Sequence, residues 1–202
     1  MKKLLIPSIF VASLAFSQFA GAISYTVNNG PAAPSGATII PAVNGGIVTL
    51  ANSASIVSGS SVNDYKKPDG IGNSDLYFTT GVTSPLGTPG ITFNFDKPIT
   101  SFGLLWGSID TYNGLSFYNG TTLVQAFKPG TAGFLATGIT YGTTTKYVNF
   151  DLSGDNITKI IASSTTQDFE FANVSYVPDG GSTLALAGLG LGLLGLIRRK
   201  TA

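Results

Sequence analysis

The sequence predicts an all-β body, a single antiparallel β-sandwich of jelly-roll type, carried between two apolar end segments. Three observations predict it. Charged residues make up only 10% of the 202 residues, while glycine numbers 26 and aromatics reach 11%. That composition suits short strands joined by turns better than helices or a disordered chain. Between residues 23 and 176 the apolar residues fall in short runs, with turn signals about every ten residues. No convincing amphipathic helical period appears among them.

The expected strands cover 47–50, 75–79, 91–95, 99–106, 115–118, 122–127, 146–152, 157–163 and 170–177. Several alternate cleanly. Ile91, Phe93 and Phe95 point one way while Thr92 and Asn94 point the other. Tyr147, Asn149 and Asp151 oppose Val148, Phe150 and Leu152 in the same manner, and Phe169 and Phe171 share one face. In LSFYNGTTLVQAF the pair Asn119-Gly120 separates two alternating runs, the strongest short hairpin signal, because both turn positions favour positive φ. Upstream, NNGPAAPSGATIIPAVNGG reads as a surface strap or extended N-terminal strand.

The two ends read as addresses. Residues 1–22 have the layout of a secretory signal peptide: Lys2 and Lys3, an apolar run over 4–16, then a small-x-small cleavage site formed by Ala20 and Ala22 around Gly21. The mature chain is then expected to begin at Ile23, outside the cytoplasm. At the other end, residues 184–197 are fourteen apolar residues followed by Arg198, Arg199 and Lys200. As a helix they span about 21 Å against a hydrocarbon core of roughly 30 Å, which makes a marginal transmembrane segment. The three cations act as a membrane stop and stay on the cytoplasmic side.

Composition excludes several functions. With no cysteine and no histidine, there is no disulfide framework, no Cys/His zinc site and no imidazole for acid–base work. Five of the eleven cations lie in the end segments, so the body carries about −3 to −4. No basic patch is left for phosphates, and no nucleic-acid partner is expected.

Three sets of body residues could carry chemistry. Asp64, Asp69, Asn73 and Asp75 crowd a glycine-rich loop with oxygen donors that suit a hard cation such as calcium, although no cofactor is expected. The spacing is not that of an EF-hand, and Asx-turns in an ordinary loop explain the same residues. Trp106 and Tyr112, with Asp110 between them, could stack on a sugar and bond its hydroxyls; a lone Trp in a strand is more often core. A glycosidase would need paired carboxylates, drawn from Asp96, Asp110, Asp151, Asp155, Asp168 and Glu170. Asp168 and Glu170 alternate on one strand face about 7 Å apart, as solvent-facing strand positions routinely do. Nothing selects a pair, and no enzyme activity is expected.

Val177-Pro178-Asp179-Gly180-Gly181-Ser182-Thr183, the apolar segment 184–197 and the basic tail 198–202, paired with a signal peptide, resemble a PEP-CTERM sorting signal of the VPDSG-type variant. The resemblance implies processing near the motif by an exosortase of a Gram-negative bacterium, after signal peptidase has acted at the other end. It also implies transient anchoring in the inner membrane and delivery to the cell surface or extracellular matrix. The tail then works as a removable signal, much as in GPI anchoring. The run FDKPITSFGLLWGSIDTYNGLSFYNGTTLV also resembles a PEP-CTERM surface-protein subfamily of cyanobacteria and relatives, through Phe102, Gly103, Trp106, Gly107, Ser108, Asp110 and the segment 117–120. The expected organisation is therefore a signal peptide at 1–22, a body at 23–176 and a sorting signal at 177–202. The expected function is that of a non-catalytic surface or matrix protein associated with exopolysaccharide and biofilm. The alternative is a carbohydrate-binding module or adhesin, with or without calcium.

Overall fold

The computed structural model describes residues 22–28, 37–40, 47–52, 54–61, 65–82 and 88–180. The signal peptide up to Gly21 and the stretch from Gly181 through the apolar segment and basic tail lie outside them, as does Asp64. Among the described residues there is no helix, and eleven strands form one continuous antiparallel network.

The strands are β1 (Ser24–Asn28), β2 (Thr38–Ile39), β3 (Val48–Leu50), β4 (Ser55–Val57), β5 (Tyr77–Thr79), β6 (Ile91–Trp106), β7 (Asn113–Asn119), β8 (Thr122–Phe127), β9 (Lys146–Asp151), β10 (Ile157–Ser164) and β11 (Glu170–Pro178). The sixteen residues of β6 organise the rest. Its first half pairs with β3 and β10, and β10 continues to β7 and β8. Its second half pairs with β9 and β11, which continue to β1 and to β5 and β4.

The sequence predicts two strands where β6 is one, because Asp96-Lys97-Pro98 reads as a break. Proline removes a ladder donor and normally ends or edges a strand. Here Pro98 stands where β6 exchanges one set of neighbours for the other. Its carbonyl accepts the Asp179 N–H at 2.8 Å, so the chain continues through the change.

The alternation read from the sequence becomes the core. Ile91, Phe93 and Phe95 are buried beside the exposed Asn94. Rings from the two halves of the network meet: Phe93 and Phe102 lie 5.4 Å apart, and Phe117 and Phe150 lie 4.9 Å apart. Beyond Phe102 both faces of β6 are covered. Leu104 and Trp106 join the main core, while Leu105 packs with Tyr77, Tyr147 and Ala172 in a second cluster. Tyr65 and Ile71, from the connection between β4 and β5, lie over that second cluster.

The β7–β8 hairpin forms with its turn one residue later than the sequence suggests. Asn119 pairs with Thr122, leaving Gly120 and Thr121 as the loop. Only Gly120 has positive φ, at 58°, the pattern of a turn with glycine at its first central position. Asn173 also takes a left-handed conformation, at the irregularity where β11 shifts register against β6. Asparagine tolerates that region better than most residues.

Candidate functional site

Five connections converge at the end of the network where β6 finishes and β11 begins, the β5–β6 connection through Val82. They enclose an open cleft of about 770 Å3. Ser61, Tyr65 and Lys66 come from the β4–β5 connection, and Ser108, Asp110 and Tyr112 from the β6–β7 connection. Thr166, Gln167 and Asp168 come from the β10–β11 connection and Gly142 from the one between β8 and β9, while Glu170 opens β11.

The segment Trp106-Gly107-Ser108 shapes the floor. Trp106 is 0% exposed, packed 4.5 Å from Phe169 and 5.6 Å from Phe134. Gly107 donates its N–H to the Glu170 carbonyl at 2.9 Å and lies under Pro68. A β-carbon at Gly107 would come within 2.7 Å of the proline ring, so the position requires glycine. Ser108 then turns the chain with φ of 44°. Its carbonyl accepts from the buried Asn113 amide, whose oxygen in turn accepts from the Ser164 hydroxyl.

The polar walls are bonded to one another. The Tyr112 hydroxyl donates to Asp110 at 2.6 Å. The Gln167 side-chain oxygen accepts from the same hydroxyl at 2.9 Å, so the single phenol proton is shared between two acceptors. Asp168 accepts from the Thr79 hydroxyl at 2.8 Å. Glu170 is the exceptional member. It is 4% exposed, its Oε1 accepts the Lys66 backbone N–H at 2.9 Å, and its Oε2 has no partner within the protein. Ser108 Oγ is likewise buried and without a partner.

These surroundings shift the titrations. Burial raises the Glu170 carboxyl to about 7, against opposing bonds from the backbone of Lys66 and of Glu170 itself, with Asp168 and Asp110 adding repulsion. Burial raises Asp110 as well, opposed by the Tyr112 bond. Tyr112 is held far above the usual phenol range by burial first, then by its bond to Asp110 and the charges of Asp110 and Glu170.

The sequence-predicted sites fare differently. Trp106 has no face left for a sugar, whereas Asp110 and Tyr112 do line the cleft. Asp69, Asn73 and Asp75 lie on an exposed loop, where the Asp75 carboxylate accepts the Gly72 N–H at 2.7 Å. Among the described residues no three Asp or Glu side chains come together in a metal-holding group. Glu170 is not the solvent-facing strand residue its alternation suggests: the cleft connections cover it. Gln167 and Lys66 had no signal in the sequence, because each is polar in a loop and acquires meaning only from its neighbours; Ser108 was marked only by the subfamily resemblance.

The sorting motif begins inside the fold. Val177 pairs with Ser101 and Pro178 with Ile99 at the end of β11, and the Asp179 N–H reaches Pro98. No curated protein and no solved structure is found to match the chain. The family model for the VPDSG-CTERM motif matches residues 176–201. A signal of this kind makes the protein an exported, surface-associated one, processed by an exosortase. The chain thus carries, beginning in the last residues of its final strand, a VPDSG-CTERM motif, a sorting signal of the PEP-CTERM type.

Proposed function

We propose that the chain is a non-catalytic structural protein of the cell surface or extracellular matrix, held in or near exopolysaccharide. Signal peptidase releases residues 1–22. The segment 184–197, stopped by Arg198, Arg199 and Lys200, holds the protein transiently in the inner membrane of a Gram-negative bacterium, and an exosortase acts at 177–183. In this reading the two halves of the strand network are the two faces of a β-sandwich. The observation that carries it is the direct passage of β11 into the sorting motif, with Asp179 still bonded to Pro98. A body joined to its signal without a linker is cargo, and its stability rests on an aromatic core without disulfides.

Mass spectrometry of the protein from its producing cells tests this reading. Ends at Ile23 and near Gly180, with the protein released when matrix polysaccharide is digested, are the expected result. An intact Arg198-Arg199-Lys200 tail on the exported protein would overturn it.

The second reading is a carbohydrate-binding module or adhesin, favoured by the polar cleft. Loops presented by a rigid β scaffold are where binding residues concentrate. Asp110 and Asp168 each already accept a hydroxyl proton, which supports a binding role for them more than a nucleophilic one. A glycan array probed with the exported protein tests this, and a blank array counts against it.

A further inference from the structure

Asp110, Asp168 and Glu170 line the cleft against a single cation, Lys66. A group of acids on a surface means little by itself. Here, however, one of them is buried with a free oxygen: Glu170 Oε2 has no protein partner, nor does Ser108 Oγ, which belongs to the same lining. Lys66 meets Glu170 through its backbone N–H, at Oε1. A buried carboxylate oxygen left open is costly unless a donor completes it from the cleft side.

The chemistry of the donor can be narrowed. A carboxylate only accepts, so the partner must bring protons or positive charge. A hard cation would need several oxygens converging on one point, and no such group of three acids exists among the described residues. A peptide segment would need apolar pockets for its anchors, yet the lining offers one aliphatic side chain, Val82, among Ser61, Tyr112, Thr166, Gln167 and the carboxyls. An ammonium group brings three donors and a positive charge, and a hydroxylated body suits the remaining lining. The volume, about 770 Å3, lies within the roughly 300–1,000 Å3 of small-ligand sites.

We propose that this cleft binds an amino sugar bearing a free amine, its ammonium donating to Glu170 Oε2 and Ser108 Oγ. The sugar's hydroxyls meet Tyr112, Gln167 and Thr166. The hydroxylated body rests on the carbohydrate-binding reading; the ammonium rests on Glu170 alone. Glu170 opens β11 and the sorting signal takes up its last residues, so ligand and processing enzyme engage opposite ends of one strand.

Binding is coupled to a proton. The groups facing Glu170 are Asp168 from its own connection, Asp110 and Tyr112 from the β6–β7 connection and Lys66 from the β4–β5 connection. The flanking β5 presents Thr79 and the turn after β6 presents Gly107, neither of which titrates. Glu170 must ionise to receive the ammonium, so affinity rises with pH through about 7 while the amine keeps its proton.

Titration calorimetry on the exported protein tests the proposal, using a short glucosamine oligomer, its N-acetylated counterpart, and glucosamine itself. The expected result is binding of the free amine at about pH 7.5, weakening at least tenfold at about pH 5.5. A comparable loss is expected for the N-acetylated oligomer and for Glu170→Gln, and a smaller loss for Ser108→Ala. Binding of the oligomer but not the monosaccharide identifies a polymeric source; equal binding per sugar identifies free amino sugar. Equal affinity for the acetylated oligomer overturns the assignment, as does unchanged binding by a folded Glu170→Gln or calcium competition through Glu170. No binding at either pH also overturns it. That outcome leaves the surface-protein reading standing, since the latter is decided by the protein's termini and its release from the matrix.

Discussion

The two ends of β11 are built on opposite principles. At its far end Val177 and Pro178 are paired with β6, and the Asp179 N–H finds the Pro98 carbonyl, so backbone groups answer backbone groups. At its near end, about 26 Å away at some 3.3 Å per residue, Glu170 enters a cleft made by connections whose side chains must satisfy one another. There the matching is incomplete, with Glu170 Oε2 and Ser108 Oγ left open. A ladder that closes on itself hands on a chain with a defined exit, which is what a sorting signal needs. Loops that close imperfectly leave polar groups for something else, which is what a binding site needs.

Substitutions can break or sharpen this contrast. The largest effect is expected from Trp106→Ala, which empties the core beneath the cleft. Loss of a fully buried Trp costs about 3–5 kcal/mol, read as a drop in Tm with the β6–β11 ladder destabilised along its whole length. Only slightly smaller is the effect of Glu170. Because its folded pKa is raised to about 7 from 4.5, the folded state holds a proton that the unfolded state has lost between those values. Its contribution to stability therefore falls as pH rises through that window and is flat above about 7, by on the order of 3 kcal/mol in all. Glu170→Gln is expected to flatten the dependence of Tm on pH between about 4.5 and 7 and to raise Tm at about pH 8. An unchanged slope would show that the near end is better satisfied than its geometry indicates.

Gly107→Ala drives a β-carbon into Pro68 and is expected to cost about 1–3 kcal/mol, typical of overpacking. It should alter the cleft while leaving hydrogen exchange at Val177 and Asp179 protected; loss of protection at both ends would erase the contrast. The smallest effect concerns the exposed loop. Asp75→Ala loses one bond to Gly72, about 1 kcal/mol or less. Calcium is expected to leave Tm unchanged, whereas a rise would point to Asp64, Asp69, Asn73 and Asp75 as ligands, since binding only the native state stabilises it.

Much of the strand pattern is legible because alternation is a local property. Phe93 and Phe95, or Val148 and Phe150, announce their buried face within a few residues. The short β2 and β4 carry too few residues to show a period. Continuity of β6 through Pro98 escaped because a local rule about proline is overridden when its carbonyl and its neighbours are used elsewhere. The hairpin was legible at Asn119-Gly120, but its register was decided by the pairing of Asn119 with Thr122. In the candidate site, Asp110 and Tyr112 stood out as residue types, while Trp106 belonged to the core.

Sequence by itself determined the class of body, through alternation and composition, and the sorting signal, through a contiguous motif read in order along the chain. Both are properties of neighbours in sequence. Only tertiary structure decided that Glu170 is buried, that Lys66 reaches it across 104 residues, and that Ser108 and Asp110 share its cleft. The reason is that a carboxyl's solvation and charge environment come from segments folded around it, and no local pattern records which segments those are.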